Sequence, residues 1–64
     1  MLVRCNNKKI ELEDDMTVAQ LIKSMNYRRA AVWINGQQLL ASAYDTHVIK
    51  PDDQIKILRI FAGG

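Results

Sequence analysis

The residues with the clearest chemical potential stand at the end of the sequence, where Ile55-Lys56-Ile57-Leu58-Arg59-Ile60-Phe61-Ala62 runs into Gly63-Gly64. Glycine has no Cβ, so a diglycine enters a channel too narrow for other residue pairs and adopts dihedrals closed to them. A Gly64 carboxylate on such a thread is a group that a second protein can reach, and at neutral pH it is an anion, because an α-carboxyl has a reference pKa of about 3.3–3.7. With glycine at about 7% of residues, two in succession at the last two positions arise by chance in about half a per cent of chains. The alternative is a frayed terminus without a role.

The remaining candidates offer less. Cys5 falls on an inward strand position with no basic cluster beside it, the setting of an inert core thiol. His47 has no second histidine and no cysteine at ligand spacing, so no metal site is expected. Ser42, Tyr44, Asp45 and His47 are close in sequence, yet a nucleophile triad is defined by geometry and this stretch offers none that can be read. Glu11, Glu13, Asp14 and Asp15 gather around a helix start and read as complements to its dipole. Gly36 belongs to a turn, and no glycine-rich phosphate loop is present.

The elements that must position this tail follow from periodicity. Met1, Val3 and Cys5 alternate with Leu2 and Arg4; Asn6-Asn7 supplies turn residues; Ile10 and Leu12 then alternate with Lys9 and Glu11, which predicts a β-hairpin. Thr17 and Gln20 have capping-box spacing, and Val18, Leu21, Ile22 and Met25 recur on one helical face that Asn26 can close. Ala30 to Asn35 reads as a strand ending in the turn dipeptide Asn35-Gly36. Lys50-Pro51-Asp52-Asp53 suits a type I turn before a last strand starting at Gln54. Leu39 to Ile49 has no legible pattern.

One helix across one face of a small mixed sheet satisfies the need to cover each apolar face once, and this order of elements is that of the α+β β-grasp, or ubiquitin-like, fold. The expected inward set is Val3, Cys5, Ile10, Leu12, Val18, Leu21, Ile22, Met25, Val32, Ile34, Ile55 and Ile57. Alternation then sends Leu2, Trp33, Leu58 and Ile60 to the face the helix leaves open. Large apolar residues gathered there predict a docking surface, unless the segment Leu39–Ile49 or the tail folds over them.

Sixty-four residues make one domain, 1–64 with a tail at 61–64, and a core too small to enclose an active site, so an autonomous enzyme is not expected. Hydrophobic residues at 48% and charged ones at 25% indicate a globular chain. No apolar run approaches the ~20 residues of a membrane span, and Met1-Leu2-Val3-Arg4-Cys5 is no signal sequence, which predicts no membrane association and a cytoplasmic location. A net charge of +2 is too small to argue for nucleic acid by itself.

Taken together, Met16-Thr17-Val18-Ala19-Gln20-Leu21-Ile22, Ala31-Val32-Trp33-Ile34-Asn35-Gly36, Ile49-Lys50-Pro51-Asp52-Asp53-Gln54-Ile55 and Ala62-Gly63-Gly64 resemble the ThiS family of sulfur-carrier proteins of thiamine biosynthesis. The resemblance covers essentially the whole chain. Asp52 departs from it, because relatives often carry glycine there, and Phe61 is bulkier than expected so near the tail.

The resemblance implies that Gly64 is adenylated by a ThiF-like adenylyltransferase using ATP and Mg²⁺, with no cofactor held permanently by the carrier. A persulfide donor then supplies sulfur, and a thiazole synthase consumes the resulting thiocarboxylate. In that scheme Gly63 and Ala62 give slim passage for a flexible tail, Phe61 and Ile60 anchor its root, and Trp33, Leu58 and Leu2 dock the partner, with Arg59 placed to meet an acidic rim. Two other readings stand beside it. One is the small subunit of molybdopterin synthase or another thiolation carrier. The other is a β-grasp RNA- or protein-binding module in which Lys8, Lys9, Arg28 and Arg29 contact phosphates.

Overall fold

A computed structural model describes residues 1–60 of the chain. Five strands and one α-helix lie among them: β1 (Leu2–Cys5), β2 (Lys8–Glu11), α1 (Val18–Ser24), β3 (Ala30–Ile34), β4 (Gln37–Leu39) and β5 (Gln54–Arg59), with a 3₁₀ turn at Ala41–Ala43. The sheet order is β2-β1-β5-β3-β4. β5 is central, parallel to β1 and antiparallel to β3, while both outer pairs are antiparallel hairpins.

Both hairpins turn on two residues with positive φ, Asn6 and Asn7 (51° and 67°) and Asn35 and Gly36 (52° and 85°). This is the left-handed pair that a type I′ turn requires, and asparagine and glycine adopt it at least expense. Each leading asparagine also reaches into β5. The Asn6 carboxamide accepts from the Ile57 N–H (2.9 Å) and donates to the Ile57 carbonyl (3.1 Å), so a side chain completes a ladder position between β1 and β5. Asn35 Oδ1 accepts from the Gln54 N–H (2.9 Å), and its Nδ2 donates to Asp53 (3.1 Å).

The helix begins with the capping box expected of Thr17 and Gln20: the Gln20 N–H donates to Thr17 Oγ1 (3.2 Å) and the Thr17 N–H to Gln20 Oε1 (2.9 Å). Its first two N–H groups, on Val18 and Ala19, donate to the carbonyls of His47 (3.0 Å) and Tyr44 (2.9 Å). The segment without a sequence pattern is therefore the helix's second cap, satisfying donors that an α-helix start leaves unpaired. Asn26, with φ of 60°, closes the other end: its N–H donates to Lys23 O and that of Tyr27 to Ile22 O, the paired bonds of a Schellman motif.

Val18, Leu21 and Ile22 of α1 pack on Val3, Cys5, Val32, Ile55 and Ile57 of the sheet, with Leu12, Ala30 and Ile49 completing the buried set. The expected inward residues Ile10, Met25 and Ile34 are only partly buried, because each lies near an edge of the layer. Ile49 enters the core unforeseen, held by its N–H to Met16 O (2.8 Å). The Pro51 turn is also not type I: Asp52 has φ of 68°, and with Pro51 before it and Asp53 N–H bonded to Lys50 O (3.2 Å) the turn is type II.

Candidate functional site: the open face of the sheet

Alternation along β5 buries Ile55 and Ile57 under the helix and turns Gln54, Lys56 and Leu58 to the other face. Register extends that face to both sides. Trp33 lies opposite Lys56 and Ala31 opposite Leu58 on β3; Arg4 lies opposite Gln54 on β1 and opposite Lys9 on β2. The segment 39–49 stays on the helix side, so it does not cover this surface. Leu58 and Ile60 each keep 48% of their surface exposed.

Trp33 is half-buried, and the Lys56 ammonium stands over its ring at 5.9 Å from the centroid, a cation–π contact at the outer edge of its range. Together with Arg4, Asn6, Asn7, Gln54 and Leu58 they line a shallow concavity of about 590 Å³. A second hollow of about 550 Å³, between the helix end and the 3₁₀ turn, is bordered by Lys23, Arg28, Tyr44 and Asp45. There the Tyr44 hydroxyl already donates to the Ala30 carbonyl (2.8 Å).

The structure brings together only part of the predicted docking set. Trp33 and Leu58 line the same concavity in the middle of the open face, and Ile60 continues that face two residues beyond Leu58. Leu2, 57% exposed, accepts at its carbonyl from the Asp52 N–H (3.1 Å), and the span from Asp52 to Leu58 is roughly 20 Å at about 3.3 Å per residue. Arg59 belongs to the opposite face. It pairs in register with the buried Ala30, and its guanidinium lies 5.4 Å from the centre of the Tyr27 ring, beside the end of α1. β5 keeps its partner to the end of the described chain, since the Ile60 N–H donates to Arg29 O (3.0 Å). Phe61, Ala62, Gly63 and Gly64 lie outside the described residues.

Arg4, Asn6 and Lys56 line the site without having been singled out in the sequence. Their signal was faint but present: a basic residue at each outward position between the buried residues of β1 and β5. What periodicity does not supply is the register that sets Lys56 against Trp33.

Cys5 is buried, and desolvation pushes its thiol pKa above the ordinary value. Among the described residues no cluster of His, Cys, Asp and Glu is arranged to hold a metal, and no helix is long and apolar enough to cross a membrane. The acidic residues do not serve the helix dipole, for none lies in its first turn; Glu11 and Asp14 instead face the Met1 ammonium at 3.2 and 3.6 Å. Lys8 and Lys9 lie on the outer strand β2, whereas Arg28 and Arg29 precede β3 beyond β1 and β5, so these four cations do not form one surface.

A single helix crossing a five-stranded mixed sheet with a parallel central pair, its other face open, defines a ubiquitin-like β-grasp domain. The ThiS family model matches residues 2–64, and the chain belongs to that family. Among solved structures it is similar to the crystal structure of the thiamine biosynthesis protein ThiS from Geobacter metallireducens, with 23% identity, a TM-score of 0.82 and both chains covered in full. It is also similar to the NMR solution structure of a thiamine biosynthesis protein from the same organism, with 22% identity, a TM-score of 0.79, and all of this chain and 88% of that one covered. At these identities the likeness shows the fold. No curated protein matches the chain in sequence.

Proposed function

We propose that this chain is a sulfur carrier of thiamine biosynthesis, a protein substrate rather than an enzyme, working in the cytoplasm. The observation that carries the reading is the family match, which runs through residue 64 and so takes in Gly63 and Gly64. A Gly64 carboxylate oxygen attacks the α-phosphate of Mg·ATP on a ThiF-like adenylyltransferase, and pyrophosphate leaves. The outer sulfur of a protein persulfide then attacks the acyl carbon and AMP departs. A thiol cleaves the sulfur–sulfur bond, leaving a thiocarboxylate on Gly64 for a thiazole synthase to consume.

The carrier's own contribution is presentation. Positioning the carboxylate in line with the phosphate replaces a bimolecular encounter with an oriented one. The partner's metal ion offsets the repulsion between two anions. In this reading Trp33, Leu58 and Ile60 offer the surface on which the partner seats, and the β5–β3 pairing runs as far as Ile60.

Incubation with the cognate adenylyltransferase, Mg·ATP, a persulfide donor and a thiol should exchange one oxygen for sulfur, read by intact mass and mapped to Gly64. Removing Gly64, or adding one residue after it, should abolish the exchange. Sulfur mapping to Cys5, or exchange persisting in the extended form, rules the mechanism out.

A further inference from the structure

The open face carries more positive charge than its fold requires. Arg4 and Lys9 sit directly opposite each other on β1 and β2, a like-charge cross-strand pair that works against stability. Lys56 extends the basic row toward Trp33. Among the described residues none of these three enters an ion pair; Asp52 borders Arg4 and Lys9 from the turn without pairing to either. The carboxylates of Glu11 and Asp53 are engaged elsewhere, with the Met1 ammonium and with Asn35 and the Lys50 N–H. Exposed Leu58 adjoins the cations in the same concavity.

We propose that this concavity binds an acidic, leucine-bearing segment of a partner protein, its carboxylates meeting Arg4 and Lys56 and its apolar side chain resting on Leu58 beside the edge of Trp33. The choice of occupant comes from charge complementarity: a row of unpaired cations selects anions and speeds encounter, while the apolar floor adds contact area. A protein segment fits better than a nucleic acid. The one aromatic ring in the concavity has Lys56 over its face, leaving it poorly placed to stack a base, and Arg28 and Arg29 lie away from the row. The inference deepens the carrier reading, on which it rests for the partner being an enzyme that handles the tail, but the surface chemistry makes no use of Gly64.

The test is a titration of the isotope-labelled protein with a short acetylated and amidated peptide alternating glutamate and leucine, alongside its glutamine–leucine counterpart and a single-stranded polyuridine. Trp33, the one tryptophan, provides an independent fluorescence readout. The acidic peptide should shift the amides of Arg4, Gln54 and Lys56 and the Trp33 indole. Binding should vanish between ~0.01 M and ~1 M salt, where the screening length falls from about 30 to about 3 Å.

Lys56→Glu and Arg4→Glu should each weaken binding about tenfold, with Lys56→Gln intermediate, and amide dispersion in the same spectra reports that each variant is folded. Equal binding of the glutamine peptide, shifts confined to the helix side, undiminished affinity in both charge reversals, or tighter binding of polyuridine each overturns the proposal. Peptide binding as expected from a protein that never gains sulfur would leave the surface standing and the carrier reading refuted; sulfur transfer without peptide binding would do the reverse.

Discussion

The two faces of the same sheet follow different rules. Under the helix, Ile55 and Ile57 of β5 meet Val3, Val32, Leu21 and Val18 in a dry layer where every position is fixed by what surrounds it. One residue along, Lys56 and Leu58 face outward among Arg4, Trp33 and Gln54, with nothing among the described residues packed over them. A single strand thus carries core residues at 55 and 57 and exposed ones at 54, 56 and 58. Substitutions that move by one residue should therefore change which property is lost.

The largest effect belongs to the covered face. Ile57→Ala leaves a cavity among β-branched neighbours with little room to collapse, and should lower unfolding free energy by about 2–5 kcal/mol, measured by urea denaturation. In a domain this small that is a large share of the total. Leu58→Ser, the adjacent change, should move stability by no more than about 0.5 kcal/mol yet weaken binding to the adenylyltransferase by about 1–3 kcal/mol, read by calorimetry. Should Leu58→Ser prove as destabilising as Ile57→Ala, the open face is covered by something and the division between faces fails.

The Asn6 side chain ties the faces together at their edge, since its carboxamide serves as a strand residue for Ile57. Asn6→Gly keeps the positive φ of 51° and removes only the two side-chain bonds, which should cost about 1–2 kcal/mol by leaving the Ile57 N–H and carbonyl without these partners. An unchanged denaturation midpoint would mean that water replaces the carboxamide without loss.

A smaller, pH-dependent effect isolates the dry layer. Burial raises the Cys5 thiol pKa above its unfolded value, so the folded state holds the proton longer. The resulting stability is fully present below the unfolded thiol pKa, about 8.5, and is lost as pH rises through the folded value. The decline in urea midpoint above about pH 8.5 should be shallower in Cys5→Ala than in the parent, the difference between the two removing contributions from lysine and tyrosine. Parallel pH profiles would show that Cys5 does not sense the layer's low polarity.

Much of this was legible in the sequence because it is local. Asn6-Asn7 and Asn35-Gly36 specify their turns by φ preference, Thr17 and Gln20 their cap by spacing, and the strands their faces by period-two alternation. The segment from Leu39 to Ile49 was not, because its order comes from long-range backbone bonds, Val18 N–H to His47 O and Ile49 N–H to Met16 O, which leave no mark on side-chain periodicity. The open face was half legible. Alternation placed Trp33 and Leu58 there, and it also puts Arg59 on the other face with Ile55 and Ile57; the register that joins Lys56 to Trp33 and separates Leu2 from Leu58 is a property of strand pairing.

The smallest expected effect lies at the turn that leads into β5. Asp52 occupies the third position of a type II turn with φ of 68°, where an L-residue's Cβ crowds the backbone and glycine does not. Two contributions oppose each other in Asp52→Gly: relief of the left-handed conformation favours the fold, and the greater freedom of glycine in the unfolded chain opposes it. Aspartate tolerates this region better than most residues, so the relief is modest and the net stabilisation should be about 0.5 kcal/mol, with the denaturant slope unchanged. The Asp52 N–H still donates to Leu2 O in the variant, which keeps the β1–β5 register and hence both faces intact. Destabilisation instead would show that the Asp52 carboxylate holds the Arg4 and Lys9 end of the sheet by its charge. Peptide binding by the open face should then rise in Asp52→Gly, because the nearest competing anion has been removed.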